Sequence, residues 1–383
     1  MGEYGQYNIP TVDECVNFKI GQPAPSMLPL AKIRQAANSK FQEEDPLFLQ
    51  YGHIYGFPKF RQSVAKFLTT RYGHQVDPER LLATNGNTGG LSMICSLFCK
   101  AGDIVYCGEP TYFLAKRIFE DFNLDYRQIP MDKDGLDVDL LEKQLEQGPV
   151  PVMMYVVTTA HNPTGRTLTA ERRQKLADLS AKYGFILVAD EVYQLLTFPG
   201  IEPPPPMFTY DKAGTILALG SFSKILAPSL RVGWIQGSPE MLKKIADCGQ
   251  LDSSGGINPI CYGIVQKCID EGLLDEHLDE TRKTLATRYE TLAAALKKYL
   301  PAGCTFEEPQ GGYFVLVSLP EGQSAADLLK IALTKKVAFL PGGGFAKTMG
   351  HCLRLSFSMY DADDIDVGVQ RLAEAIKEYQ AGL

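Results

Sequence analysis

Lys224 lies in the stretch Ser221–Trp234, SFSKILAPSLRVGW, directly after a short apolar run, Thr215–Leu219, that ends at Gly220. A lysine that is buried near positive charge loses its proton easily and can then form a Schiff base with a carbonyl. The hydroxyls of Ser221 and Ser223 and the guanidinium of Arg231 can hold a phosphate, the arginine through two parallel charge-assisted bonds. Pro228 and Gly233 suit a chain that turns sharply around a ligand. Together these residues fit a covalently held, phosphorylated aldehyde. Ser221-Phe222-Ser223-Lys224 also matches the Ser-x-x-Lys pattern of serine β-lactamases, but the Ser-Asp-Asn and Lys-Thr-Gly elements that accompany it there are absent.

Other stretches supply what such a ligand needs. Thr84–Gly90, TNGNTGG, leaves a strand and opens a helix, so the free amides around Gly86, Asn87 and Thr88 can meet a phosphate. Glycine turns of this kind are common without any ligand. Asp190 ends the apolar run Phe185–Asp190 and needs a positive partner, which a protonated pyridine nitrogen would provide. A helix-capping aspartate is the plain alternative. Tyr193, and Asn162 in HNPTG, can donate to a phenolic oxygen on that ring, while an Asn-Pro turn without chemistry would look the same. Tyr112, after another strand, can stack on the ring face or simply pack. In Cys352–Ser358, Leu353, Leu355 and Phe357 alternate with Arg354, Ser356 and Ser358, which turns Arg354 away from an apolar core toward a cleft or a surface ion pair.

These positions need a frame. Strands are predicted over Leu81–Thr84, Ile104–Cys107, Val152–Thr158, Phe185–Asp190, Thr215–Leu219 and Val232–Gln236, alternating with helical patterns. Several are apolar throughout, as in a parallel sheet covered on both faces, whose ligand lies beyond the carboxyl ends of the strands. Thr169 and Gly184 are placed to cap and end the helix before Phe185. Helices are also predicted over Leu30–Phe41 and about Asp275–Leu300, and a polyproline loop over Pro199–Pro206. The acidic run Asp361–Asp366 reads as a helix start and not a calcium loop, since Ile365 falls on a ligand position.

Composition bounds the rest. With 383 residues, 45% of them hydrophobic and 22% charged, the chain suits a soluble protein of two domains. The net charge of −7 without a basic cluster argues against nucleic acid as a partner. Nine cysteines, an odd number without any Cys-x-x-Cys, suggest neither a disulfide framework nor a metal site and fit a cytoplasmic protein; Cys95 and Cys99 are expected on one helix face. The first residues show neither a basic n-region nor an apolar h-region and no run is long enough to span a bilayer, so no membrane association is expected.

The ordered set Tyr51…Gly56, Gly86-Asn87-Thr88, Pro110-Thr111-Tyr112, Asn162-Pro163-Thr164-Gly165, Asp190-x-x-Tyr193, Ser221-x-x-Lys224…Arg231 and Arg354 resembles the class I/II pyridoxal-phosphate aminotransferases of fold type I, from about Gly21 to the C-terminal helix. The run Ser-Phe-Ser-Lys-Ile-Leu-Ala-Pro is similar to the kynurenine/2-aminoadipate type. The resemblance implies a large α/β domain over 46–279, with 1–45 and 280–383 forming a smaller α+β domain. It implies pyridoxal 5′-phosphate on Lys224, Asp190 at the ring nitrogen, Asn162 and Tyr193 at the phenolic oxygen, and Tyr112 on the ring face. Gly86, Asn87, Thr88, Ser221, Ser223 and Arg231 would hold the phosphate, and Arg354, Asn162 and the Gly21 backbone the substrate carboxylate. Tyr51 would reach the site of a second subunit in a homodimer. One departure is Asn87-Thr88-Gly89, where relatives often carry Ser or Ala followed by Gln. The implied reaction moves an amino group from an L-amino acid to a 2-oxo acid by a ping-pong mechanism. A lyase on the same fold, eliminating at the β-carbon of a cysteine conjugate, or a related carbon-skeleton pyridoxal enzyme on that fold, is the alternative. Regulators that use this domain as a sensor carry a basic winged helix ahead of it, and none is found in this sequence. The aromatic segments Tyr51–Phe60 and Tyr4–Tyr7 hint at apolar or aromatic substrates.

Overall fold

The computed structural model describes residues 10–382, so Tyr4–Tyr7 lies outside the described residues. Seven strands form the main sheet: β1 (Leu81–Thr84), β2 (Ile104–Glu109), β3 (Asp125–Asp132), β4 (Met153–Val157), β5 (Ile186–Asp190), β6 (Ile216–Ser221) and β7 (Gly233–Gln236). Their order is β1-β7-β6-β5-β4-β2-β3, with the short strand Gly135–Leu136 closing the edge beside β3. β2 through β6 pair in parallel, whereas β7 runs antiparallel to both β1 and β6. β1 therefore points the same way as β6, and the carboxyl ends of β1, β2, β4, β5 and β6 share one edge with the start of β7.

Side-chain alternation explains why these strands read as apolar throughout. Met153, Tyr155, Val157, Val188, Leu217 and Leu219 enter the core on one face of the sheet. Met154, Val156, Leu187, Ala189, Ile216 and Ala218 enter the core on the other. Helices cover both faces, so most positions along these strands are shielded from water. β3 was not expected: DYRQIPMD is an edge strand with several exposed residues and lacks the apolar signal. The antiparallel sense of β7 was likewise not legible, because a strand's direction leaves no mark on its composition.

Thr169 caps the helix Ala170–Tyr183 by accepting from the Arg172 amide, and Gly184 ends it in the left-handed conformation, as predicted. The acidic run does open a helix, Ala362–Ala381. The helix Asn87–Phe98 stops before Cys99, so Cys95 is buried within it while Cys99 belongs to the turn that follows.

A second sheet contains β8 (Phe314–Ser318) and β9 (Cys352–Ser356), antiparallel to each other and flanked by the short strands Thr305–Phe306 and Leu340–Pro341. The 27-residue helix Leu273–Tyr299 buries Leu278, Leu285, Leu292 and Leu296. At the other end of the chain, Val16–Asn17 pairs in parallel with Val337–Ala338. The N-terminal arm continues along β9: the Ser356 amide donates to Phe18 O and the Ser358 hydroxyl to Gln22 O. Helix Leu30–Phe41 lies against helix Pro259–Asp270. Among the described residues no helix is long and apolar enough to cross a membrane.

Candidate active site

The shared sheet edge gathers most of the residues singled out by sequence. Asp190 is the last residue of β5, paired with Leu219 of β6 and Val157 of β4. Lys224 follows β6 by three residues and Asn162 follows β4 by five. Arg231 sits just before β7 with φ of 50°, the left-handed turn that brings the chain back beside Ser221. Because β7 runs antiparallel, its start lies at the same edge as the ends of its neighbours. That is how a serine and an arginine ten positions apart come to face one another.

At the β1 end, the helix Asn87–Phe98 begins without a side-chain cap, so its first-turn amides are available to an anion. Gly86 has φ of +94°, and a Cβ there would lie 2.8 Å from Arg231 Nη2. Only glycine lets the guanidinium lie across this turn. Arg231 donates to Asn85 O at 2.9 Å and to Ser223 Oγ at 3.1 Å, and Ser221 Oγ to Ser223 Oγ at 2.9 Å. Uncapped amides, two hydroxyls and an arginine form a cradle that suits a phosphate dianion. Thr88 is exposed in the first turn of the same helix.

Lys224 Nζ donates to Gly21 O at 2.7 Å and lies 5.3 Å from the centre of the Tyr313 ring. Burial, then the charges of Arg354 and Arg231, lower its pKa to about 8 against the pull of Asp190. About a tenth of the amine is thus neutral at pH 7, far more than for an ordinary lysine, as a nucleophile requires. Asp190 is buried; burial raises its pKa, while bonds from Tyr155, Asn87 and the Val192 amide and the charge of Lys224 oppose that rise. Tyr193 is buried and Tyr112 half-buried, and both feel the charges of Asp190 and Arg354.

Arg354 is 3% exposed. Its Nη1 donates to Asn162 Oδ1 at 3.0 Å and its Nη2 to Lys19 O at 2.6 Å, while Nε is buried without a partner. The Phe314 and Phe345 rings flank the guanidinium at 4.0 and 5.6 Å. The polar face of β9 is thus covered by the N-terminal arm, and neither an open cleft nor a surface ion pair describes it. A Cβ on Gly21 would lie 2.7 Å from the Phe314 ring, so no side chain fits where the arm passes this group. Tyr51 stands apart: it is 80% exposed.

Sequence reasoning missed Tyr155, Tyr313, Phe314 and Phe345. Tyr155 left one signal, a phenol in the otherwise apolar run MMYVV, where a buried hydroxyl calls for a partner. The other three come from segments distant in sequence that only folding places beside Lys224 and Arg354.

An uncapped helix start, a lysine of lowered pKa, a buried carboxylate and a buried arginine on one sheet edge define an enzyme of the fold type I pyridoxal-phosphate class. The chain belongs to the family Aminotransferase class I and II, whose pattern it matches over residues 13–372. It is 33% identical over 371 residues to Aromatic-amino-acid aminotransferase 1 of Thermococcus litoralis, covering 95% of this chain and 88% of that one. It is 31% identical over 366 residues to 2-aminoadipate transaminase of Thermus thermophilus, covering 94% of this chain and 90% of that one. The crystal structure of Pyrococcus horikoshii kynurenine aminotransferase superposes with a TM-score of 0.89 at 32% identity, covering 99% of this chain and 97% of that one. The protein is accordingly a pyridoxal-phosphate-dependent aminotransferase that moves an amino group from an L-amino acid to a 2-oxo acid. The lyase alternative is not favoured.

Proposed function

We propose that this aminotransferase takes aromatic and long-chain L-amino acids, with Lys224 as the covalent anchor and proton carrier and Arg354 as the carboxylate site. The observation that carries the proposal is that Lys224 and Arg354 both rest on one short stretch of the N-terminal arm, at Gly21 O and Lys19 O. Adjacent aromatic residues, Tyr313 and Phe314, lie against the same two groups.

When bound, pyridoxal phosphate supplies an electron sink for the negative charge left on the substrate's α-carbon. The chain's own residues do the rest. Asp190 would stabilise positive charge at the ring nitrogen, Asn162 and Tyr193 would donate to the phenolic oxygen, and Tyr112 would stack on the ring. Gly86, Asn87, Thr88, Ser221, Ser223 and Arg231 would hold the phosphate, Asn87 and Thr88 through the helix-start amides. Lys224 Nζ, once neutral, takes the proton from the α-carbon and hands it on. Two of the five guanidinium N–H groups of Arg354 are engaged by Asn162 and Lys19, which leaves Nε and two others for a carboxylate. Phe314 and Phe345 beside it favour an apolar side chain.

The same proposal makes the enzyme a homodimer in which Tyr51 completes the partner's site. Leu30, Phe41, Leu47 and Leu49 stand exposed in the segments leading to Tyr51, apolar surface that a second copy would cover. Nine free cysteines support a reducing, cytoplasmic setting. The division into 46–279 and the paired segments 1–45 and 280–383 is part of this reading.

A panel of amino acids added without oxo acid tests the substrate class. Aromatic and long-chain members should bleach the visible band of the holoenzyme, and 2-oxoglutarate or pyruvate should restore it. Reaction with acidic amino acids alone would sink the assignment.

A further inference from the structure

Both oxygens of Asp190 are already engaged from within the chain. Tyr155 donates its phenol proton to Oδ2 at 2.7 Å, Asn87 Nδ2 donates to Oδ1 at 2.6 Å, and the Val192 amide donates to Oδ1 at 3.3 Å. The sheet dictates the first contact. Tyr155 of β4 pairs with Val188 of β5, and Asp190 lies two residues further along the same face. Helix Asn87–Phe98 covers that face, so its first side chain folds back over Asp190 and reaches Leu219 O at 3.4 Å. Packing alone does not call for a phenol at position 155. It is fully buried, with Phe119 edge-on at 5.9 Å, and phenylalanine would fill the same space.

An ionised carboxylate has about four acceptor sites. Three are taken, and the open one is on Oδ2. We propose that Tyr155 and Asn87 are positioning residues that clamp Asp190, holding it as an ionised acceptor with one free site, on Oδ2, for the cationic ring nitrogen of the cofactor. This rests on the reading of Asp190 given above. It also assigns the Asn87 side chain to Asp190 and leaves its backbone amide for the phosphate. The other groups that act on Asp190 are Lys224, which favours its charge, and Glu191, its buried chain neighbour; its charge also acts on Tyr112 and Tyr193.

Infrared titration of the holoenzyme tests the clamp, with Asp190→Asn identifying the Asp190 carboxyl band. Tyr155→Phe should raise the pH at which the protonated band appears by about one unit, because a lost hydrogen bond to a charged group is worth at least that much. Asn87→Ala should do the same, and the double variant should shift it further. Asn87 lies at a helix start, so Asn87→Ala gives an independent measurement if Tyr155→Phe misfolds. Bands at the wild-type midpoint in the variants overturn the clamp. Turnover is a separate readout, expected to fall about tenfold or more in each variant. Wild-type turnover in Asp190→Asn would remove Asp190 from the mechanism, independently of whether the band shifts in the clamp variants.

Discussion

Arg354 Nη1 donates to Asn162 Oδ1 at 3.0 Å, joining β9 to the loop after β4 across 192 positions of sequence. The bond orients a guanidinium that is almost fully buried, and burial holds its pKa down to about 10. At neutral pH it stays charged, with Nε still unpaired. A buried donor without a partner is costly, and a substrate carboxylate can satisfy it.

Arg354→Lys should therefore act on substrate binding. Lysine keeps the charge but cannot bond Asn162, Lys19 and a carboxylate in one plane. We expect kcat/KM for amino acids to fall roughly 10- to 100-fold, mostly through KM. Steady-state kinetics over a range of amino acid concentrations checks this, and an unchanged KM would exclude Arg354 from the carboxylate site.

Capture of cofactor by stripped protein should follow the neutral fraction of Lys224. Its rate should rise with pH around a midpoint of about 8, well below the ordinary lysine value of 10.5. Arg354→Gln removes one of the charges that depress this value, so the midpoint should move upward. The sign for stability follows: between about 8 and 10.5 the unfolded chain holds more protons at this position, so Lys224 makes the cofactor-free protein more stable as pH rises through that window. Stopped-flow absorbance gives the midpoint, and one near 10.5 contradicts the assignment.

Tyr51→Ala and Lys224→Ala proteins, each inactive alone, should regain activity when mixed. A shared site yields up to about a quarter of wild-type sites after subunit exchange, because half the dimers are hybrids and one of the two active sites in each hybrid carries neither change. A monomer by light scattering, or no recovery after exchange, rules out a shared site.

Glu191 supplies a pH dependence of its own. Burial raises its pKa from 4.5 to about 7, against the attraction of Arg173, and its Oε1 accepts from the Met207 amide at 2.6 Å. The folded chain binds this proton more tightly, so the group's contribution to stability falls as pH rises from 4.5 to about 7. Glu191→Gln keeps an acceptor for Met207 and removes the titration. Its melting temperature should exceed that of wild type above pH 7, with the difference narrowing toward 4.5. Parallel melting curves would show that Glu191 does not titrate in this range.

The sequence by itself determined the chemistry and the edge on which it stands. Asp190 ends an apolar run, and Lys224, Asn162, Tyr112 and the turn at Gly86 each follow one by a few residues. In a mostly parallel sheet, short loops after strands must collect at one edge, so local order was enough to gather them. Tertiary structure decided whatever depends on partners distant in sequence. The direction of β7 set the meeting of Arg231 with Gly86, and the polar edge strand β3 had no apolar pattern to betray it. The N-terminal arm covers the Arg354 face of β9, its Lys19, Phe18 and Gln22 carbonyls accepting from Arg354, Ser356 and Ser358, which alternation along one strand cannot foretell. Asn87 turns toward Asp190 because helix and strand pack there, and Tyr155 meets the same carboxylate because β4 and β5 pair in one register. Side-chain identity states what a residue can bond; only register and packing choose which of those bonds is made.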